Sequence, residues 1–263
     1  MKIILLGSNG MLGTYLRKYL SNEYEILALS RKEIDLSSSE SDLLSYFDNI
    51  VNQGDVIINA AGVIKQREYN LKDMIMVNAL LPHVLNNIKR YKECEVLHIT
   101  TDCVFSGKTG EYIENSPHDC LDDYGKSKSL GENENNTNIR TSIIGEEMHN
   151  KKSLIEWVKS NRNNTVNGYN NHLWNGVTCL ELSMLIKKII SEKLFWTGTR
   201  HIHSPNTVSK YELLNMINDI YNLNINIIKV DSENCRRNIS SIYGSLISKD
   251  LYTQIKEQKN FNI

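Results

Sequence analysis

The chain has 263 residues, 40% of them hydrophobic, enough for one large domain or a domain with a smaller lobe. Its 30 basic and 31 acidic side chains leave a net charge of -1, so no basic footprint argues for nucleic acid or an anionic membrane, and an anionic ligand must be met by local groups. The five cysteines (Cys94, Cys103, Cys120, Cys179, Cys235) are scattered without a C-x-x-C pair or clustered Cys/His spacing, and no apolar run reaches membrane-spanning length; a reduced, cytoplasmic protein without a structural metal is expected.

Lys2 to Leu6 is a short apolar run bounded by glycine, which reads as a buried parallel strand. Gly7-Ser8-Asn9-Gly10-Met11-Leu12-Gly13 follows at once, and Leu12, Leu16 and Leu20 then recur at helical spacing. In this strand, glycine turn and helix, Gly7 allows the tight turn, Gly10 lets backbone approach a pyrophosphate and Gly13 lets the helix pack on the strand. Asn9, Met11 and Leu12 complete the loop, and a phosphate would sit on the helix N-terminus near Met11. Two residues separate each glycine pair, a variant that points towards the extended short-chain dehydrogenases/reductases.

Glu25 to Leu29 reads as the second strand, and its end is where an adenosine ribose is recognised. The residues there are Ser30-Arg31-Lys32, and an Arg31 fork suits a ribose 2'-phosphate, so NADPH is expected over NADH. Asp35 and Leu36 bracket the adenine, and Ser38 to Gln53 forms an amphipathic helix with Leu43, Leu44, Phe47 and Val51 inward. Val56 to Asn59 is a strand that runs into Ala60-Ala61-Gly62, small residues against which a cofactor can lie. Leu71 to Tyr91 reads as one long helix whose apolar face is interrupted by Asn78, either structurally bonded or kinking the helix beside the cofactor.

Val96 to Thr100 is the next buried strand and delivers Thr101-Asp102-Cys103-Val104-Phe105-Ser106-Gly107 to the carboxyl edge of the sheet, where ligands bind in open α/β folds. Thr100 and Thr101 bring hydroxyls there, with Cys103, Val104 and Phe105 as substrate contacts. After a loop compatible with a flap, Tyr124-Gly125-Lys126-Ser127-Lys128 spaces a phenol and an ammonium by four residues, one face of a helix. That pairing supplies a general acid and the cation that stabilises its conjugate base. Asn138 to Ser142, read as the sixth strand, ends in Arg140-Thr141-Ser142.

Beyond residue 145 the chain reads as a smaller substrate lobe. Ser153 to Asn161 and Leu180 to Ile190 are helical, and Ser209 with Glu212 forms a capping box for a helix reaching Tyr221. Arg236 and Arg237 are candidates for a nucleotide diphosphate, and Trp174 for stacking on a base or sugar, although Trp157 and Trp174 both also read as packing residues.

Five motifs in order carry a resemblance: the glycine loop, Asn59-Ala60-Ala61-Gly62, Thr101-Asp102-Cys103-Val104-Phe105-Ser106-Gly107, Tyr124-x-x-x-Lys128 and Arg140-Thr141-Ser142. The chain resembles the dTDP-4-dehydrorhamnose reductase family of extended short-chain dehydrogenases/reductases. The resemblance implies a Rossmann-type, doubly wound parallel sheet over residues 1–145 and a smaller C-terminal α/β lobe over 146–263, the two free to interleave. It also implies a monomeric or homodimeric enzyme that reduces the 4-keto group of a nucleotide-activated 6-deoxy sugar, with Thr101, Tyr124 and Lys128 catalytic and Tyr124 and Lys128 also touching NADPH. A UDP-linked N-acetylamino sugar, an epimerase reaction and a catalytically silent cofactor-binding subunit stay open beside it. Cys103 departs from the family's usual tyrosine, Tyr15 stands where some members place a metal-binding acid, and Arg236-Arg237-Asn238-Ile239-Ser240 stands in for Arg-Pro-x-x-Ser, so the sugar is not defined.

Overall fold

A computed structural model describes residues 1–65, 69–149, 151–244 and 246–263. The first half alternates strand and helix: β1 (Ile3–Leu6), α1 (Met11–Leu20), β2 (Ile26–Leu29), α2 (Glu40–Ile50), β3 (Val56–Asn59), α3 (Leu71–Ile75), a π-helical turn (Met76–Leu80), α4 (Leu81–Lys92), β4 (Glu95–Thr101), a 3-10 turn (Asp102–Val104), α5 (Asp123–Leu130) and β5 (Thr137–Thr141). The second half is more broken: β6 (Ile143–Ile144), α6 (Leu154–Ser160), β7 (Thr165–Tyr169), β8 (His172–Trp174), β9 (Val177–Thr178), α7 (Cys179–Ser191), β10 (Gly198–His201), β11 (Val208–Ser209), α8 (Lys210–Tyr221), β12 (Asn226–Val230), β13 (Cys235–Arg236) and α9 (Leu251–Asn260).

Six strands form one parallel sheet in the order β2-β1-β3-β4-β5-β10. The strand order reverses between β1 and β3, and at such a switch point the loops leaving neighbouring strands diverge and open a crevice. Among the described residues the segment read as the sixth strand is the fifth along the chain, β5.

Both faces of the sheet are covered, which is why β1 is apolar throughout and β3 is apolar up to its last residue, Asn59, rather than alternating. One face packs Ile3, Leu5 and Ile58 against α1 and α7, and the other packs Ile4, Leu6 and Ile57 against α2 and α4. Each fully buried Ile or Leu contributes about 1.5–3 kcal/mol. Because α7 and β10 belong to this sheet domain, the chain leaves it after β5 and returns before completing the lobe. A separate core of Ile155, Trp174, Leu213, Ile217 and Leu251 joins α6, α8 and α9.

The expected single helix over 71–91 is divided by the π-helical turn. Pro82 has no N–H to donate to the carbonyl four residues back, that of Asn78, and the Leu81 N–H reaches Met76 instead. The capping box at Ser209 and Glu212 is present, and Ser39 and Ser153 cap α2 and α6. No helix among the described residues is long and apolar enough to cross a membrane.

Candidate active site

The glycine loop closes onto the far side of the switch point. Gly7 has φ +74°, and a Cβ there would lie 2.8 Å from the Ala61 Cα, so turn and strand end meet backbone to backbone. A Cβ on Gly13 would fall 2.1 Å from the Gly7 carbonyl oxygen, which sets how closely α1 approaches the loop. Gly10 caps α1 with no side chain, and no acid occupies its first turn, leaving the amides of Met11, Leu12 and Gly13 as a site for a phosphate. The Leu12 side chain itself is core, whereas Asn9 is exposed at the loop tip. A cradle with no room for a Cβ and a helix end with uncapped donors fits a dinucleotide.

At the end of β2, Arg31 is exposed and acts on Asp35, helping to hold that carboxyl low after the larger effect of the Ser37 amide and hydroxyl. Leu36 packs half-buried on the α2 side of the sheet. The sequence reading missed Glu33, whose carboxylate accepts from the Ser30 N–H at 2.7 Å and the Ser30 hydroxyl at 2.6 Å. Those bonds hold its pKa below the usual range, so a carboxylate stands beside the arginine expected to meet a 2'-phosphate. The spacing of Ser30 to Glu33 was its available signal.

Asn78 uses its side chain within the protein. Its Oδ1 accepts from Val63 N at 2.9 Å, and its Nδ2 donates to Val63 O at 2.8 Å and to Ser127 Oγ at 3.1 Å. It clamps the segment after Gly62 to the helix that carries the phenol, which positions the site. Gly62 borders open space, where an added Cβ would stand 4.0 Å from Lys128 Nζ. Ala60 and Ala61 are half-buried on the same edge.

β4 and α5 bring the three catalytic candidates together. Thr101 caps the 3-10 turn: its Oγ1 accepts from Cys103 N at 3.1 Å and donates to Asp102 Oδ1 at 3.2 Å. Asp122 caps α5, accepting from Gly125 N at 2.9 Å, and so fixes the turn on which Tyr124 stands. Burial raises the Tyr124 phenol well above its ordinary range, Cys103, Asp102 and Asp122 add to that, and the Thr101 side chain opposes the rise. Lys128 is buried, and its Nζ donates to Ile99 O at 2.9 Å. Burial pushes its pKa down to about 8 against a smaller upward pull from Glu132.

Four expected contact residues lie elsewhere. Thr100 spends its hydroxyl on Glu132 Oε1 at 2.9 Å. Val104 and Phe105 are fully buried, with Phe105 stacked on Tyr112 at 4.3 Å, because the segment after the 3-10 turn dives under the flap instead of lining the crevice. Trp174 is 4% exposed and donates to Ser142 Oγ at 2.8 Å, so it packs rather than stacks on a ligand. Cys103 remains half-exposed beside Tyr124. Arg237 turns inward, its Nη1 3.7 Å from Cys103 Sγ, whereas Arg236 is exposed in β13 with its N–H bonded to Gly107 O.

Behind the site, Arg140 is fully buried and acts as a hub. It pairs with Glu132 through Nε at 2.9 Å and through Nη2, while its Nη1 donates to His201 Nε2 at 2.8 Å and Nη2 to His118 Nε2 at 2.7 Å. His201 donates its Nδ1–H to Ser240 O, and burial followed by Arg140 lowers its pKa to about 4, so it stays neutral. The hub ties α5, the flap and β10 together. Among the described residues no cluster suits a metal ion.

A parallel sheet with a glycine cradle at its switch point and a Thr, Tyr and Lys converging on one carboxyl edge is the architecture of a short-chain dehydrogenase/reductase, an oxidoreductase class that works with a nicotinamide cofactor. The chain belongs to the RmlD substrate binding domain family, whose model matches residues 1–238. It is similar to the spore coat polysaccharide biosynthesis protein SpsK of Bacillus subtilis (strain 168), 28% identical over 151 residues; the match spans 54% of this chain and 53% of that one, about half the length of the curated relative. A dTDP-4-dehydrorhamnose reductase from Clostridium acetobutylicum superposes with a TM-score of 0.82 at 22% identity, covering 99% of both chains. The dTDP-4-dehydrorhamnose reductase of Bacillus anthracis in complex with NADP gives 0.82 at 21% over 98% of each chain. At these identities the likeness carries the fold.

Proposed function

We propose that this protein reduces the 4-keto group of a nucleotide-activated 6-deoxy-hexulose with NADPH, in deoxysugar and polysaccharide biosynthesis in the cytoplasm. The observation that carries the reading is the convergence of Thr101, Tyr124 and Lys128 on the edge to which Gly62 opens. When bound, the nicotinamide supplies a hydride to a carbonyl carbon. Gly7, Gly10 and Gly13 with the α1 amides would hold the pyrophosphate, Ser30 and Arg31 would meet the adenosine ribose, and Lys128, whose Nζ would stand 4.0 Å from a Cβ on Gly62, would approach the nicotinamide ribose.

The carbonyl oxygen then needs a proton. Tyr124 is the donor, since burial raises its pKa and keeps the phenol protonated at neutral pH, with the Thr101 side chain acting on it. Thr101 orients the oxygen and, through Asp102 and the Cys103 amide, is itself fixed in direction. Lys128 as an ammonium offsets the negative charge left on the phenol. General acid catalysis of this kind is worth about 10²–10⁴ in rate.

Tyr124→Phe should retain NADPH binding, measured by fluorescence titration, and lose about 10²–10⁴ of turnover on dTDP-4-keto-6-deoxy sugars. Near-wild-type turnover would remove Tyr124 from the acid role. Deuteride-labelled NADPH should leave its label at C4 of the product; label at another carbon, or no cofactor oxidation with any nucleotide sugar, would overturn the 4-keto reading.

A further inference from the structure

We propose that His98 is a positioning residue for the cofactor: through Asn59 it fixes the Ala60-Ala61-Gly62 edge against which the dinucleotide lies. The inference rests on the reading that NADPH lies between this edge and the glycine loop, and it adds His98, which no motif pointed to.

β3 and β4 pair in parallel with Asn59 opposite His98, so the two side chains leave the sheet on the same face, and both are fully buried. Asn59 ends β3, and its Oδ1 accepts from Ala61 N at 3.2 Å. That bond orients the amide. With the oxygen turned to Ala61, Nδ2 is the end that stands 3.1 Å from His98 Nδ1. An amide nitrogen only donates, so Nδ1 is the acceptor and a neutral ring carries its proton on Nε2. Neutrality follows from burial, which with Lys128 and His83 lowers the pKa of His98 well below its ordinary value. Asn138 suits the same tautomer from the other side. It stands opposite His98 on β5 and donates its Nδ2 to Asn133 O at 2.6 Å, which leaves Oδ1, an acceptor, as the free end of the amide among the described residues.

The relay ends on backbone packed against the glycine loop. A Cβ on Gly7 would fall 2.8 Å from Ala61 N, the same atom that Asn59 holds, and 2.9 Å from Ala60 O. A small shift of this edge therefore changes the cradle from the side opposite α1. Without an acceptor at position 98, the buried Nδ2 of Asn59 is unpaired, the amide turns to find a partner, and the Ala61 N–H loses its own. The edge must then be reordered whenever a dinucleotide binds.

The test compares His98→Asn, whose Oδ1 branches from the same carbon as Nδ1, with His98→Leu, which keeps the bulk of the ring and accepts nothing. If His98 only filled space, asparagine would do the greater damage, because it removes more volume. The relay requires the reverse order for the cofactor. By fluorescence titration His98→Asn should bind NADPH within about threefold of wild type, and His98→Leu should lose at least about tenfold, whatever the order of their melting temperatures. Hydrogen exchange at the Ala61 amide should follow, at least about tenfold faster in His98→Leu and near wild type in His98→Asn. Nitrogen NMR of the wild-type ring at pH 7 should show Nε2 protonated and Nδ1 accepting, a measurement that needs no variant to fold. A ring protonated on Nδ1, a His98→Leu variant that binds NADPH as wild type does, or equal losses in the two variants overturns the proposal. Should wild type bind neither NADPH nor NADH, the cofactor reading alone fails, and the edge held by His98 stands on the tautomer and the Ala61 exchange.

Discussion

Lys128→Met separates stability from chemistry at one buried atom. The ammonium is enclosed between β4 and α5, and its pKa falls from 10.5 to about 8. That shift corresponds to about 3 kcal/mol of penalty for holding the charged form in the folded state. The sign follows from proton counts. Below pH 8 folded and unfolded chains both carry the proton and the full penalty is present; between about 8 and 10.5 the unfolded chain binds more protons, so stability rises with pH. Methionine removes the charge at similar length but forfeits the bond to Ile99 O, a loss of about 1 kcal/mol. Cofactor-free Lys128→Met should therefore be more stable than wild type at pH 7 by about 2 kcal/mol, a rise in Tm of about 4–8 °C. At pH 9.5 the wild type has shed most of its penalty, about 1 kcal/mol remains, and the advantage should disappear. Thermal melts at the two pH values provide the measurement, with turnover falling sharply in the same variant. A variant less stable than wild type at pH 7, or a difference that ignores pH, would refute the assignment of a costly buried ammonium.

Gly13→Ala places a Cβ 2.1 Å from the Gly7 carbonyl oxygen, so α1 must shift; a loss of about 1–3 kcal/mol in urea unfolding and weakened NADPH binding are expected, and an unperturbed variant would show that the loop is not closely packed. Glu132→Gln leaves Arg140 buried with half its partner, and about 3–5 kcal/mol should be lost by urea denaturation; a loss below about 1 kcal/mol would mean that the hub does not hold the flap. Arg31→Ala should weaken NADPH more than NADH, and Glu33→Ala should shift preference towards NADPH; equal effects on both cofactors, by titration, would remove the end of β2 from 2'-phosphate recognition.

Much of the site was legible because its parts are local. The glycine loop is a strand, a turn and a helix in sequence, and its spacing states where backbone must meet backbone. Tyr124 and Lys128 sit one helical turn apart, so their common face needs no tertiary information. The cap at Ser209 follows from side-chain chemistry, a hydroxyl accepting from the N–H three residues on. The break at Pro82 went unread: a residue without an N–H releases the carbonyl of Asn78, and the single helix expected over 71–91 is divided there.

What sequence alone determined, then, is the order of strands and helices and the spacing of the candidate residues they carry, since propensity and spacing act over a few residues. Only the tertiary structure decided the surroundings, because long-range packing chooses which side of a segment is buried. Phe105 and Trp174 turn into cores, and Arg237 turns inward while its neighbour Arg236 stays exposed. The same packing brings β10 back beside β5 and encloses Arg140 between two histidines and a carboxylate.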